Sequence, residues 1–224
     1  MNTKQMAAEQ AVQYVQDGMK VGLGTGSTAY WAIAKLGERV AEGLRITAVA
    51  TSVASEEQAR GLGIPLLGFG EIGRLDLTID GADELNDRLE LIKGGGGALL
   101  REKIVAMNSD RMIVVADESK AVPKLGRFPL PVEIVPFAWE WTLDAIRALG
   151  CTPELRKSGD QLYRTDNGNY IADCRFGEIA SAQQLADALQ RIPGVVEHGL
   201  FIGIASLAII GHSDGRIEVK EPAV

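Results

Sequence analysis

Cysteine is nearly absent from this 224-residue chain: Cys151 and Cys174 are the only two. Two thiols make no disulfide framework, and a reduced, cytoplasmic setting is the expectation. Histidine is equally scarce, with only His198 and His212. Both lie far in sequence from the main acid cluster, so the His/Asp spacing of a recognisable metal site is missing. All four residues read as structural. Positive charge is in deficit, 23 Lys and Arg against 30 Asp and Glu, for a net charge of −7. Nothing in that balance suggests nucleic acid or an anionic membrane as a partner, although a local patch can still bind a phosphate. No run of about 18 apolar residues exists, so no membrane span is expected. The opening stretch MNTKQMAAEQAVQYVQDG is polar and helical in pattern, and is not expected to be a signal peptide. Repeats and low-complexity segments are also absent. What the chain does have is a 46% apolar content, ample for a core, and a length that fits one large domain or two small ones.

Apolar spacing predicts a helix over Thr3 to Gln16, a strand over Lys20 to Leu23, a glycine turn, and a helix from about Ala29 to Glu42. Strand, glycine turn and helix open a doubly wound α/β fold. Strands follow at Leu44 to Ala50, Ile64 to Leu67 and Arg111 to Ala116, with a helix capped by Ser55 between the first two. After Lys124 the texture changes. Pro129, Pro131 and Pro136 mark a linker or domain edge. A helix over Trp139 to Leu149, a hairpin from Leu162 to Asp173 around Asp166-Asn167-Gly168-Asn169, a Ser181/Gln184 capping box and a strand from Val195 follow in βαββαβ order. The expectation is a Rossmann-like, mostly parallel sheet in residues 1–126 plus 200–224. A smaller α+β, ferredoxin-like domain is expected in 127–199.

The most informative stretch is LDLTIDGADELNDRLELIKGGGGALLREK, Leu75 to Lys103. Asp80, Asp83 and Glu84 close one apolar run and Lys93 closes the next. Gly94 to Gly97 then lead into a helix that contains Glu102. Consecutive glycines suit a flexible loop, a close helix–strand contact, or a backbone that must approach an anion; the lysine and the acids favour the anion. The acids suit helix caps, metal ligation or hydrogen bonds to sugar hydroxyls, and the last is favoured where histidine is lacking. Glu102, between Arg101 and Lys103, reads on its own as a surface acid.

The earlier turn, Gly22 to Thr28, fails as a dinucleotide fingerprint. Counted from Gly24, the third glycine is replaced by Ser27, and Thr51-Ser52 stand where an acid belongs. Gly-Lys-Ser/Thr is missing too. Thr25, Gly26, Ser27 and Thr28 remain, either an ordinary N-cap or a seat for a small oxyanion such as a sugar phosphate.

GLGTGSTA, TSVAS, DGADE, KGGGGALLREK, FPLPVE, TDNGN and IPGVVEHGLF, in this order and at these spacings, resemble the type A ribose-5-phosphate isomerase family from near the N-terminus to about residue 212. The resemblance implies interconversion of D-ribose 5-phosphate and D-ribulose 5-phosphate in the non-oxidative pentose phosphate pathway. It implies no metal or other cofactor, and a homodimer or homotetramer. It puts the catalytic glutamate on Glu102 and the substrate contacts on Thr25, Gly26, Ser27, Thr28, Asp80, Gly81, Ala82, Asp83, Lys93, Gly94, Gly95, Gly96 and Lys120. Glu102 would shuttle a proton between two carbons, and Lys93 with the glycine amides would stabilise an enediolate. Asp80 or Asp83 would help open the ring; Ser27, Thr28 and Lys120 would hold the phosphate. Gly97, alanine in some members, is not expected to affect activity. The competing classes are a non-catalytic sugar-phosphate module, disfavoured by Glu102 beside Lys93, and a CoA transferase or sugar-phosphate deaminase. A deaminase is expected to carry a histidine near the acids.

Overall fold

A computed structural model describes residues 2–223. In chain order the elements are α1 (Thr3–Val12), β1 (Lys20–Leu23), α2 (Ala29–Ala41), β2 (Thr47–Ala50), α3 (Val53–Gly61), α4 (Phe69–Ile72), β3 (Leu77–Gly81), β4 (Glu84–Leu85), β5 (Leu91–Ile92), α5 (Leu99–Met107) and β6 (Met112–Asp117). A 3-10 turn (Glu118–Lys120) leads to β7 (Leu130–Ile134), α6 (Trp139–Arg147), β8 (Thr152–Leu155), β9 (Lys157–Ser158), β10 (Gln161–Leu162), β11 (Tyr170–Arg175), α7 (Ala182–Gln190), β12 (Val195–His198), β13 (Leu200–Phe201), β14 (Leu207–Gly211) and β15 (Ile217–Lys220).

The main sheet runs β15-β14-β6-β3-β1-β2, parallel throughout except for the β14–β15 edge. Its central strands are apolar on both faces, as in MIVVA of β6, because helices cover both sides. Strand β1 pairs with β2 on one side and β3 on the other, so the winding reverses there. A reversal of this kind leaves a crevice beyond the carboxyl ends of the two inner strands, where ligands of open α/β sheets bind. The glycine turn after β1 and the acids after β3 both open into it.

Strands β12-β7-β11-β8 make a second, antiparallel sheet that packs its own core with α6 and α7. Its connection order is βαββαβ, the ferredoxin-like pattern. A three-stranded patch, β13-β5-β4, stitches the two units together, since β5 precedes the second sheet in the chain and β13 follows it.

Several local expectations give way to tertiary pairing. Residues 64–67 form a single bridge, Ala48 to Leu66, rather than a strand. Ser52, not Ser55, caps α3, its side chain accepting from the Ser55 N–H at 3.1 Å. The 162–173 hairpin does not form: the turn at 165–169 is present, but β11 pairs with β7 and β8, which bury both of its edges. The proline-rich segment is partly strand. Pro131 lies within β7, where its carbonyl accepts from the Gly199 N–H at 2.8 Å.

Glu84 belongs to this architecture rather than to the acid cluster. It is 1% exposed and accepts from the N–H groups of Gly126 and Phe128, both at 2.7 Å. It thus fastens the crossing between the two sheets. Replacing it leaves two buried donors unpaired. Glu84→Ala is expected to lower unfolding stability by about 2–4 kcal/mol, read from the urea midpoint, with Glu84→Gln losing less because one acceptor remains.

Candidate active site

At the carboxyl edge of the main sheet, three loops, one helix and a 3-10 turn converge on a single cleft. The loop after β1 supplies Thr25, Gly26, Ser27 and Thr28; the end of β3 and its loop supply Gly81, Ala82 and Asp83; the segment after β5 supplies Lys93, Gly94, Gly95 and Gly96. Glu102 enters from α5 and Lys120 from the 3-10 turn after β6, around about 420 Å³ of empty space. Every residue expected from the sequence to touch substrate lines this cleft except Asp80.

Asp80 lies behind the wall, 0% exposed. Its Oδ1 accepts from the Thr25 and Gly81 N–H groups at 3.0 and 2.7 Å, and its Oδ2 lies 3.0 Å from Lys93 Nζ. From behind the cleft lining it supports Lys93 and the turn after β1. Gly24 has to be glycine for the same reason: a Cβ there would lie 2.5 Å from the Asp80 Cα.

Lys93 is 2% exposed. Its ammonium donates to the Gly81 carbonyl at 2.6 Å, faces Asp80, and sits 3.3 Å from Glu102 Oε1. The Phe201 ring backs it at 5.4 Å. Glu102 is 4% exposed and its Oε2 has no hydrogen-bond partner. Burial pushes its carboxyl up to about 8; Lys93 pulls it down, and Asp80 and Asp83 add to the rise. Burial raises Asp80 as well, against Lys93 and two amides. Burial alone would depress Lys93, but the flanking Asp80 and Glu102 hold its ammonium above the usual lysine range. Asp80 has two amide donors and the lysine charge to stabilise it, and Glu102 has the lysine charge alone. Of the two carboxyls, Glu102 is therefore the one poised to exchange a proton.

Asp83 lines the cleft and pins the glycine loop, its Oδ2 accepting from the Gly95 N–H at 2.7 Å. From the opposite side, Arg156 donates to the Gly94 and Gly95 carbonyls at 2.9 and 3.0 Å while paired with Asp173. Gly97 has φ +80°, and a Cβ there would lie 2.2 Å from Tyr163 Oη. A side chain at 97 therefore requires Tyr163 to move.

Some contributors escaped the sequence. Lys4, on α1, donates to Ser27 Oγ at 2.9 Å, which brings a second cation to the Ser27 rim. One lysine of a polar helix carries no signal of this; only the packing of α1 beside α2 reveals it. The Thr25 hydroxyl points inward to Thr51, Ser52 and Ser55 at 2.7, 2.8 and 3.2 Å, so TSVAS stiffens the turn after β1 from below. His198 and His212 stand apart from the cleft lining. A larger hollow lies beyond the glycine loop, against Trp139, Leu143 and Arg156. It lacks the Lys93–Glu102 pair, so the chemistry belongs to the smaller cleft.

A doubly wound sheet with glycine loops and a buried acid–lysine cluster at its switch point has the build of an enzyme for a small anionic substrate. Comparison with known proteins narrows the class. The sequence profile of ribose 5-phosphate isomerase A (phosphoriboisomerase A) matches residues 47–215. Ribose-5-phosphate isomerase A of Bacillus mycoides is 56% identical over 96% of this chain and 98% of its own. The ribose 5-phosphate isomerase of Plasmodium falciparum superposes with a TM-score of 0.95 at 37% identity, over 99% of both chains. A D-ribose-5-phosphate isomerase solved in complex with phospho-erythronic acid gives a TM-score of 0.94 at 36% identity, covering 99% of this chain and 100% of that one. The chain belongs to the ribose 5-phosphate isomerase A family.

The raised Glu102 carboxyl has a consequence for stability. From the ordinary carboxylate range up to about 8, the folded protein holds a proton that the unfolded chain has released. Stability contributed by this group is therefore present at low pH and lost as pH rises through that window. Glu102→Gln removes the effect. Its melting temperature relative to the unsubstituted protein is expected to climb between pH 5 and pH 8.5; a constant difference in thermal scans across that range contradicts the assignment.

Proposed function

We propose that Glu102 is the base that carries the family's reaction in this chain. The enzyme is an aldose–ketose isomerase interconverting D-ribose 5-phosphate and D-ribulose 5-phosphate. The observation that supports Glu102 is its buried carboxyl with one unpartnered oxygen, in the cleft beside Lys93.

The sequence of steps follows from the chemistry of the groups. The cyclic sugar opens first, and Asp83, the acid of the loop that lines the cleft, assists that proton transfer. Glu102 then takes the proton from C2 of the open aldehyde. The C2–H electrons form the C1–C2 double bond, and the carbonyl electrons move to oxygen as an enediolate. Lys93 and the amides of Gly94 to Gly96 stabilise that oxygen, in a site already dry and oriented before charge develops. The O2 hydroxyl proton passes to O1, the O2 electrons form the C2 carbonyl, and the C1–C2 double-bond electrons take the proton back from Glu102 at C1; the ketose results with no other reactant consumed. A carboxyl that titrates near the working pH is suited to both halves of the shuttle. Asp80 serves by fixing Lys93. Ser27, Thr28 and Lys120 hold the phosphate, joined by Lys4, and their binding energy positions the reacting carbons. The complex of a relative with phospho-erythronic acid, an anionic phosphorylated sugar acid, agrees with a cleft built for such a ligand.

Two cores, one drawn from residues 7–79 with 113–115 and 207–209 and one mainly from 130–195 with Ile92, Val122, Leu125 and Leu200 joining it, support a division near 1–126 plus 200–224 and 127–199. We place the enzyme in the cytoplasm, where its two free cysteines stay reduced. We further infer a homodimer or homotetramer, consistent with Phe137 and Trp141 at 86% and 78% exposure.

Glu102→Gln is expected to cut turnover of ribose 5-phosphate by about 10²–10⁴-fold while the fold and sugar-phosphate binding persist. Near-normal turnover removes Glu102 from its role. Lys4→Ala and Lys120→Ala are expected to raise KM for ribose 5-phosphate with a smaller change in kcat; an unchanged KM in both contradicts the phosphate assignment.

A further inference from the structure

The TDNGN turn, residues 165–169, is held rigidly for a surface turn. Glu133, 0% exposed on β7, accepts from Thr165 Oγ1 and Asn169 Nδ2 at 2.9 Å and from Asn167 Nδ2 at 3.3 Å. Thr165 Oγ1 in turn accepts from the N–H groups of Asn167 and Asn169. A buried carboxylate spent on ordering one turn points to a task at its tip.

The tip reaches two helix N-termini of the other unit. Asp166 Oδ2 accepts from the Val53 N–H, the first amide of α3, at 2.9 Å, and lies 3.4 Å from Arg101 Nη1. Arg101 Nη2 donates to the Asp166 carbonyl and Nε to Asn167 Oδ1, both at 2.9 Å. Arg101 immediately precedes Glu102. Helix α5 follows four glycines and has no side-chain N-cap, so side-chain contacts set the direction of its first turn: Lys103 holds one side through Glu197 and the His198 carbonyl, and Arg101 holds the other through the TDNGN turn. At the other end of the contact, α3 follows Thr51 and Ser52, the hydroxyls that anchor Thr25.

We propose that Asp166 and Arg101 are positioning residues for the isomerisation. The clasp between the TDNGN turn and the first turn of α5 aims the Glu102 carboxyl at the substrate carbons. This rests on Glu102 being the base. Displacing a general base by a fraction of an ångström lowers the rate of proton transfer without weakening phosphate binding. Loss of the clasp therefore falls on kcat.

The test is steady-state kinetics on the full-length protein with ribose 5-phosphate. Asp166→Ala and Arg101→Ala are each expected to lower kcat by about ten-fold or more with KM within about two-fold, and the double variant to be no slower than the worse single one. Asp166→Asn keeps an acceptor for the Val53 amide and Arg101, and is expected to recover most of the loss. Arg101→Lys lacks the planar fork that reaches Asp166 and Asn167 together, and is expected not to recover it. Unchanged kcat in folded Asp166→Ala, a loss confined to KM, or additive losses in the double variant overturn the clasp. Glu102→Gln measured alongside separates the two assignments: if that variant still turns over, the base is wrong; if it is dead while Asp166→Ala is normal, only the clasp is wrong.

Discussion

The site depends on a lysine ammonium kept charged where water cannot reach it. Lys93 sits between the carboxyls of Asp80 and Glu102, with the Gly81 carbonyl and the Phe201 ring completing its surroundings. Removing such an ion from water costs several kcal/mol, recovered only with close partners on several sides. That requirement explains much of the local architecture. Strand β3 must deliver Asp80, β5 must deliver Lys93, and β13 must lie beside β5 so that Phe201 backs the lysine. Each of the three comes from a different part of the chain.

The same cluster sets up a division between two acids that look alike in sequence. Asp80 has amides and the lysine to hold its charge. Glu102 has the lysine alone and faces the cleft, while one oxygen of each carboxylate makes no hydrogen bond. Burial raises both carboxyls, Glu102 to about 8, and only Glu102 lines the cleft. A carboxyl that is costly to ionise in the empty site is a stronger base when it does ionise.

The second sheet takes part in this economy without lining the cleft with acids or bases of its own. Arg156 grips the glycine loop by its carbonyls, Asp166 and Asn167 meet Arg101, and Glu84 ties the crossing between the units. Glycine loops are favoured at the cleft because backbone amides can approach a ligand there, but their freedom has to be taken up elsewhere. The neighbouring unit does that from outside, leaving the ligand side of each loop open.

The chain order of DGADE, KGGGG and REK, with the strand–glycine–helix opening, was enough to read a doubly wound sheet and the loops that converge on one cleft. These signals are local: turn glycines, apolar periodicity and charged residues at strand ends are consequences of backbone sterics and burial that a short stretch carries by itself. Other features were decided only by packing. Glu84 and Asp83 are neighbours in sequence, yet one faces the crossing and the other the cleft, because successive residues of an extended segment point to opposite sides. Lys4 reaches Ser27 only because α1 docks beside α2. The strand after TDNGN pairs with β7 and β8 rather than folding back on itself, since a sheet interior satisfies both of its edges and a lone hairpin would satisfy one. The sequence by itself determined which groups were available for the chemistry; the tertiary structure decided which of them are dry, which are charged and which can touch a sugar, because solvation and distance belong to the folded chain alone.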